Sequence, residues 1–353
     1  MGIDISFKMS LSSSLYFMRG ICIVLMIMGH VIGFNQEHGM RQIYKSDLGF
    51  LGWFHDFILT FHIPIFLIVS GIAFATFSKK KLSYKEFLVS KFKKLVIPLI
   101  CWSSAYFIFQ SLYKGEHFSI IDIVKSVIFP YEIFWFLHAL IFATFLSFLC
   151  EKYFGSIRPY LIISVVLFLA CFFLDSAFKV YFYWNIFYAI GVFLSPVLSF
   201  LSLRAKASSP LPLFLVLLLS VVTMLVLKQS ISIYDVNAID IVRLVNGSIG
   251  FLLIFILLNV EGNHVNLSNS AKKFKDSTLD CFVYLGKMSM IIYLFHGYFT
   301  RTTAIIMTKA LGLPSVDLYF AVVTAMGVAG PILLYEMMQS KSKIFVHITG
   351  GSK

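Results

Sequence analysis

The sequence predicts an all-α integral membrane protein with about ten transmembrane helices and both termini in the cytoplasm. Three observations lead there. Hydrophobic residues make up 59% of the chain and charged ones 13%, where soluble domains hold roughly 45–50% and 25%. The apolar residues fall into runs of about twenty, long enough for a helix to cross about 30 Å of hydrocarbon. Lys and Arg are shared unevenly between alternate loops, as the positive-inside rule requires of a multi-pass protein. The 39 Phe and 17 Tyr fit lipid-facing surfaces with aromatic residues at the interfaces.

The first expected span, Leu15 to Phe34, is apolar except at Arg19 and His30. It is too long for the apolar region of a signal peptide and lacks a small-residue cleavage site, so no cleavable signal is expected. A polar loop, Asn35 to Asp47, follows. Leu51 to Phe77 would reach about 40 Å as one straight helix, but Pro64 disfavours helix at Ile63 and removes a donor. The span is therefore expected to break at Pro64. A short interfacial or re-entrant piece would run to about Phe61, with His62 at the break and a helix from Pro64 to Phe77. Irregular backbone at that depth is tolerated only against protein or a watery cavity.

Ser78 to Lys94 carries seven lysines against one acid, Glu86, and reads as cytoplasmic. The remaining spans are expected at Leu95 to Tyr113, Phe134 to Cys150, Tyr160 to Leu174, Phe182 to Leu203, Leu211 to Leu227, Ile241 to Leu258, Cys281 to Phe299 and Leu318 to Met338. Together they form a single membrane domain over residues 1–353. Alternation from a cytoplasmic N-terminus places 18 basic residues inside and eight outside, with Arg19, Arg243 and Lys287 within spans. The net charge of +12 is then mainly topology, and membrane lipids rather than nucleic acid are the expected neighbours. The five cysteines lie in or beside apolar runs without a C-x-x-C, so neither a disulfide framework nor a metal site is expected. The absence of an internal repeat or an inverted pair of broken helices argues against a secondary transporter.

Arg19 and His30 are eleven residues apart, about three helical turns, so both leave one face about 16 Å apart along the axis. Snorkelling of Arg19 and capping of a neighbouring helix by His30 are the structural alternatives. Ionisable groups at such depth are costly and usually functional. His30 has the pKa range suited to taking a hydroxyl proton. Ser289, Tyr293 and His296, at i, i+4 and i+7, share a face that either bonds across helices or lines a pore. Phe66 and Ser70 share a face below His62 and are candidates for the same cavity, while Ser70 and Gly71 permit close helix approach. Trp135 and His138, with Glu132 outside them, are candidates for the outer mouth. Asp56, Asp240 and Arg243 show no distinctive spacing.

Arg, ten residues, then His, in a first span with an RG step, resembles the acyltransferase 3 family of membrane acyltransferases. Three later stretches are similar to its motifs: FHIPIFLIVSG (Phe61 to Gly71), FWFLHAL (Phe134 to Leu140) and LGKMSMIIYLFH (Leu285 to His296). They occur in family order across about 280 of the 353 residues. Two departures stand out: Leu67 replaces the second Phe of FF-x-x-SG, and Lys91 and Lys94 take the spacing of an Arg-x-x-Arg. The resemblance implies transfer of an acetyl group from cytoplasmic acetyl-CoA, or another acyl-CoA, to a sugar hydroxyl. The acceptor would be a lipid-linked or surface glycan such as an O-antigen or exopolysaccharide, at the inner or plasma membrane. It implies that His30 deprotonates the acceptor or briefly carries the acyl group, and that Arg19, Lys91 and Lys94 meet the donor's phosphates. His62, Ser70, Trp135, Tyr293 and His296 are the expected substrate-binding or pore-lining residues. With about fifteen residues after the last span, the extracytoplasmic hydrolase-like domain of some members is not expected. A glycan exporter and a non-catalytic partner in glycan assembly are the competing readings. Acyl length and homo-oligomerisation stay open.

Overall fold

The computed structural model describes residues 5–45, 48–77, 83–173, 176–204, 242–251, 269–310, 312 and 314–351. Among them every regular element is a helix. Five helical segments are long and apolar enough to cross a membrane: Leu11–Ile32, Phe50–Phe77, Tyr84–Lys114, Ile120–Phe154 and Val316–Gln339. A sixth arises if the broken pair Ser277–Lys287 and Ser289–Ala310 is one span. The protein is a multi-pass α-helical membrane protein. The expected span 211–227 and eight of the eighteen residues of 241–258 lie outside the described residues.

The described residues belong to two compact units. The first comprises Met1–Ser78, Phe154–Val166 and Ile186–Lys287; the second comprises Lys79–Tyr153, Leu167–Asn185 and Met288–Lys353.

In the first unit, α1 (Ile5–Ile32) is unbroken past both Arg19 and His30. It ends two residues before the expected Phe34 because Gly33 turns out of the helix at φ +89°, with Gly39 packed against its backbone. A short α2 (Gly39–Tyr44) leads to α3 (Phe50–Leu59) and α4 (His62–Phe77). The break between α3 and α4 falls at Thr60 and Phe61, not at Pro64, and Ile63 is helical. Pro64 occupies the first turn of α4, where its missing N–H has no intrahelical acceptor to lose. Side chains hold the break instead. Thr60 Oγ1 donates to the Phe57 carbonyl at 2.8 Å. The Ile58 carbonyl accepts from Phe61 N–H at 3.2 Å and from His62 Nδ1 at 2.6 Å. Carbonyls freed by the missing turn are thereby satisfied inside the protein. Asn246, in the helical segment 242–251, donates to Thr60 Oγ1 from the other side.

Two reciprocal backbone approaches fix the helices of this unit. A Cβ at Gly20 would overlap the carbonyl of Phe282 in α11 (Asn269–Lys287), and one at Gly286 would overlap the carbonyl of Tyr16. Gly71 and Gly191 meet the carbonyls of Tyr188 and Ile68 in the same manner, joining α4 to α10 (Ser176–Arg204). Small residues at helix crossings are the usual source of tight packing in a membrane, where apolar burial drives little association.

In the second unit, α5 (Tyr84–Lys91) starts eleven residues before the expected Leu95. Ser83 and Glu86 form a reciprocal capping box, with Glu86 N–H on Ser83 Oγ and Ser83 N–H on Glu86 Oε2. A π turn, Phe92–Val96, joins it to α6 (Ile97–Lys114), which Gly115 terminates at φ +70°. α7 (Ile120–Ile128) is a short amphipathic helix, and α8 (Trp135–Phe154) returns. α9 (Arg158–Ala170), at the site of the expected span 160–174 and mostly in the first unit, has 13 residues, short of the ~20 needed to cross. The expected span 281–299 is likewise not one helix. Met288, at φ −84° and ψ 0°, separates α11 from α12 (Ser289–Ile305), just after the weak helix former Gly286.

α13 (Val316–Gln339) and α14 (Lys343–Ile348) complete the chain. The Trp102 ring packs edge-on against Phe295 at 4.3 Å, and its Nε1 donates to the Ile348 carbonyl at 2.8 Å. That bond ties α14 to α6. It also puts Gly350 beside the Lys94 carbonyl, at the same end of the unit.

Candidate active site

Four of the expected site residues, Arg19, His30, His62 and Ser70, lie in the first unit. Lys91, Lys94, Trp135, Tyr293 and His296 lie in the second.

In the first unit the structure brings Arg19 and Ser70 together across 51 positions of sequence. Arg19 Nη2 donates to Ser70 Oγ at 3.2 Å, and Ser70 Oγ donates in turn to the Phe66 carbonyl at 2.8 Å. The guanidinium carbon stands 5.5 Å from the centre of the Phe66 ring, a cation–π distance. The Phe66–Ser70 face, expected to line a cavity below His62, is thus the seat of Arg19. The side chain is half-buried, and its Nε has no hydrogen-bond partner. No ion pair joins it to a carboxylate among the described residues.

His30 stands in the last turn of α1 with its side chain exposed. The continuous helix sets it about 16 Å from Arg19 along the axis. His62 is buried, and the carbonyl facing Nδ1 requires that nitrogen to carry the proton, leaving Nε2 as the basic atom. Holding the helix break is the role its contacts show.

One group near His30 carries no spacing signal. His55 is 2% exposed, and its Nδ1 faces Asp56 Oδ1 at 3.0 Å. Asp56 also pairs with Arg41 at 3.3 Å, and Arg41 reaches the Gly52 carbonyl at 3.2 Å. The His55 ring edge lies against Gly29, the residue before His30, where a Cβ would come within 3.9 Å of His55 Cδ2. An acid–imidazole pair is thereby set against the end of α1. A His-Asp dipeptide interrupting an apolar run is its only mark in the sequence.

In the second unit, Tyr293 Oη donates to the Ile133 carbonyl at 2.7 Å. This bond joins the late helix to the start of the FWFLHAL segment. His296 Nδ1 contacts the Tyr293 carbonyl at 2.8 Å, and the helical face expected for Ser289, Tyr293 and His296 is buried throughout. Trp135 packs on Trp184 at 5.2 Å, and His138 Nε2 reaches the Val127 carbonyl at 2.9 Å. Glu132, just outside, is exposed and holds a left-handed backbone at φ +43°. Lys91 lies over the Phe87 ring at 5.8 Å, while Lys94 is exposed within the π turn. The wider π turn rotates Lys94 away from the face it would share with Lys91 at i, i+3 of an α-helix. The pair therefore does not reproduce the fork that an Arg-x-x-Arg would present.

Among the described residues no group of three or more His, Cys, Asp or Glu is arranged to hold a metal ion. What the first unit holds is an arginine seated on a serine and an aromatic ring, on one membrane helix with an exposed histidine. These features define a multi-pass membrane protein with a cation and an imidazole on one helix. Residues 13–336, nearly the whole chain, match the family model described as an acyltransferase domain, and the chain belongs to the acyltransferase 3 family. It is a membrane acyltransferase. No curated protein and no solved structure matches the chain.

Proposed function

We propose that the protein is an O-acyltransferase of the inner or plasma membrane. It takes an acetyl group from cytoplasmic acetyl-CoA and places it on a hydroxyl of a sugar in a lipid-linked or surface glycan. The observation that carries this reading is the unbroken α1, with Arg19 seated near its middle and His30 exposed in its last turn.

Acetyl-CoA supplies a thioester and phosphates. A half-buried guanidinium without a carboxylate partner among the described residues fits a phosphate, which Arg binds through its planar fork. The distance of about 16 Å to His30 is comparable with an extended pantetheine arm. His30 takes the proton of the acceptor hydroxyl as its oxygen attacks the thioester carbon, and returns a proton to the departing thiolate. The sulfur–acyl bond breaks as the oxygen–acyl bond forms. In the second unit, Lys91 and Lys94 add positive charge without bidentate contact, and Trp135, Tyr293 and His296 keep the substrate-binding role expected of them. In the first unit, Ser70 serves by seating Arg19 and His62 by holding the helix break. The shared end of Lys94 and Gly350 supports a cytoplasmic C-terminus on the side of the lysine-rich loop.

His30→Ala tests the reading. General-base catalysis contributes about 10²–10⁴-fold, so acetylation should fall by at least that lower factor while acetyl-CoA binding persists. Retention of more than about a tenth of wild-type turnover would make His30 a structural residue.

A further inference from the structure

At the end of α6 opposite Lys94, the second unit contains a cavity of about 340 Å³. That volume is at the low end of ligand pockets, about 300–1,000 Å³, and suits a mono- or disaccharide. Its aromatic lining comes from Phe107, Phe118, Phe129 and Tyr131. Phe118 and Tyr131 stand edge-on to Phe107, with ring centres at 5.8 and 5.6 Å, so these three rings support one another. Aromatic faces are electron-rich and attract the C–H groups that line one side of a sugar ring.

The polar groups in the lining fix the class of ligand. Asp122 is already engaged: its Oδ2 accepts from Ser119 N–H at 3.1 Å and Ser119 Oγ at 2.8 Å. Its Oδ1 lies 3.7 Å from Lys125 Nζ. Among the described residues Glu116 has an exposed pairing with Lys114 at 3.8 Å, which leaves oxygen lone pairs to accept from a ligand. Lys125 brings donors to the same lining. The lining holds two carboxylates, one lysine and the His117 imidazole, and each carboxylate has a lysine beside it, Lys125 for Asp122 and Lys114 for Glu116. That balance matches a neutral polyhydroxylated molecule and matches neither a phosphate nor a cation.

The position of the cavity agrees. α7 exposes Ile120, Ile121, Val124 and Ile128 on one side, while Asp122, Lys125 and Ser126 line the cavity on the other. With nine residues it is too short to span, and an exposed apolar face on such a helix lies in the membrane interface. A sugar attached to a lipid carrier is presented at that depth.

We infer that the cavity walled by Phe107, Phe118 and Tyr131, with Glu116 and Lys125 at its polar side, binds a sugar unit of the acceptor glycan. This inference rests on the acyl-transfer reading above and deepens it.

The test uses the full chain in lipid nanodiscs and methyl glycosides of glucose, galactose and N-acetylglucosamine as probes. Binding is read by saturation-transfer NMR. At least one glycoside should receive saturation at its ring C–H protons, and Phe118→Ala should weaken its binding about fivefold or more. Glu116→Gln should weaken it less, because an amide oxygen still accepts. Both side chains are exposed in the 115–119 loop, so both variants should fold as the wild type does. Absence of saturation transfer with every probe, or an unchanged signal in Phe118→Ala, overturns the inference. Wild-type protein that acetylates glycan yet binds no glycoside rejects the subsite and keeps the proposed function. Protein that binds glycosides through Phe118 but never transfers acetyl keeps the subsite and rejects that function.

Discussion

Replacing Ser70 should weaken acetyl-CoA binding through Arg19 and leave the chemical step alone. Ser70 Oγ accepts from Arg19 Nη2 at 3.2 Å and donates to the Phe66 carbonyl at 2.8 Å. Ser70→Ala nearly keeps the volume of the site and removes the hydroxyl that accepts from Arg19 and donates to the Phe66 carbonyl. A hydrogen bond to a charged group is worth about 1.5–3 kcal/mol. Arg19 is only half-buried, which discounts this to about 1 kcal/mol, or about a fivefold rise in Kd. Arg19→Ala removes the charge itself and should cost about tenfold or more, with Arg19→Lys recovering part of it because the fork is lost. Turnover at saturating donor should hold, since His30 is about 16 Å away.

Calorimetry on folded protein in nanodiscs measures all three variants, and a double-mutant cycle isolates the coupling. If Ser70 acts by seating the guanidinium, Ser70→Ala adds nothing once Arg19 is alanine. Two independent, additive losses would refute the reasoning, as would an unchanged affinity in Arg19→Ala.

Topology and packing give two further expectations. In a cysteine-free background, Lys93→Cys should resist a membrane-impermeant thiol reagent on intact cells while Phe118→Cys is labelled, because these residues flank opposite ends of the 18-residue α6, Ile97–Lys114. The reverse pattern would invert the orientation and with it the side of the acyl donor. Gly71→Ala should lower the unfolding midpoint in detergent by an amount equivalent to about 1–3 kcal/mol, because its Cβ would overlap the Tyr188 carbonyl. An unchanged midpoint would mean that α4 and α10 are less closely apposed than the structure shows.

What was legible in the sequence followed from local rules. The apolar period placed α1, α8 and α13, and the Arg19-to-His30 spacing survived because α1 is unbroken. Local rules also fell short where two of them competed. Pro64 disfavours helix at the residue before it, yet in a first turn its missing donor costs nothing, so the break moved to Thr60 and Phe61. There the side chains of Thr60 and His62 capture free carbonyls, a choice no periodicity reveals. The early start of α5 was readable in principle from the Ser83–Glu86 box, a pattern that hydropathy alone does not weigh. The His55–Asp56–Arg41 group was not, because Arg41 and Asp56 meet only through the fold of α2 against α3.

The seat of Arg19 shows how two separate motifs become one site. Each is a polar residue followed by glycine, Arg19–Gly20 on α1 and Ser70–Gly71 on α4. Neighbouring residues on a helix point about 100° apart. Gly20 faces the Phe282 carbonyl of α11, and Gly71 faces the Tyr188 carbonyl of α10. Neither site admits a Cβ, so each contact fixes the rotation of its helix about its own axis. With both rotations fixed, the preceding residues are turned about 100° away, toward each other, and Arg19 meets Ser70. The glycines touch no substrate in this arrangement. They aim the side chains of Arg19 and Ser70, which is why the RG and SG steps, rather than arginine and serine alone, bring the two together.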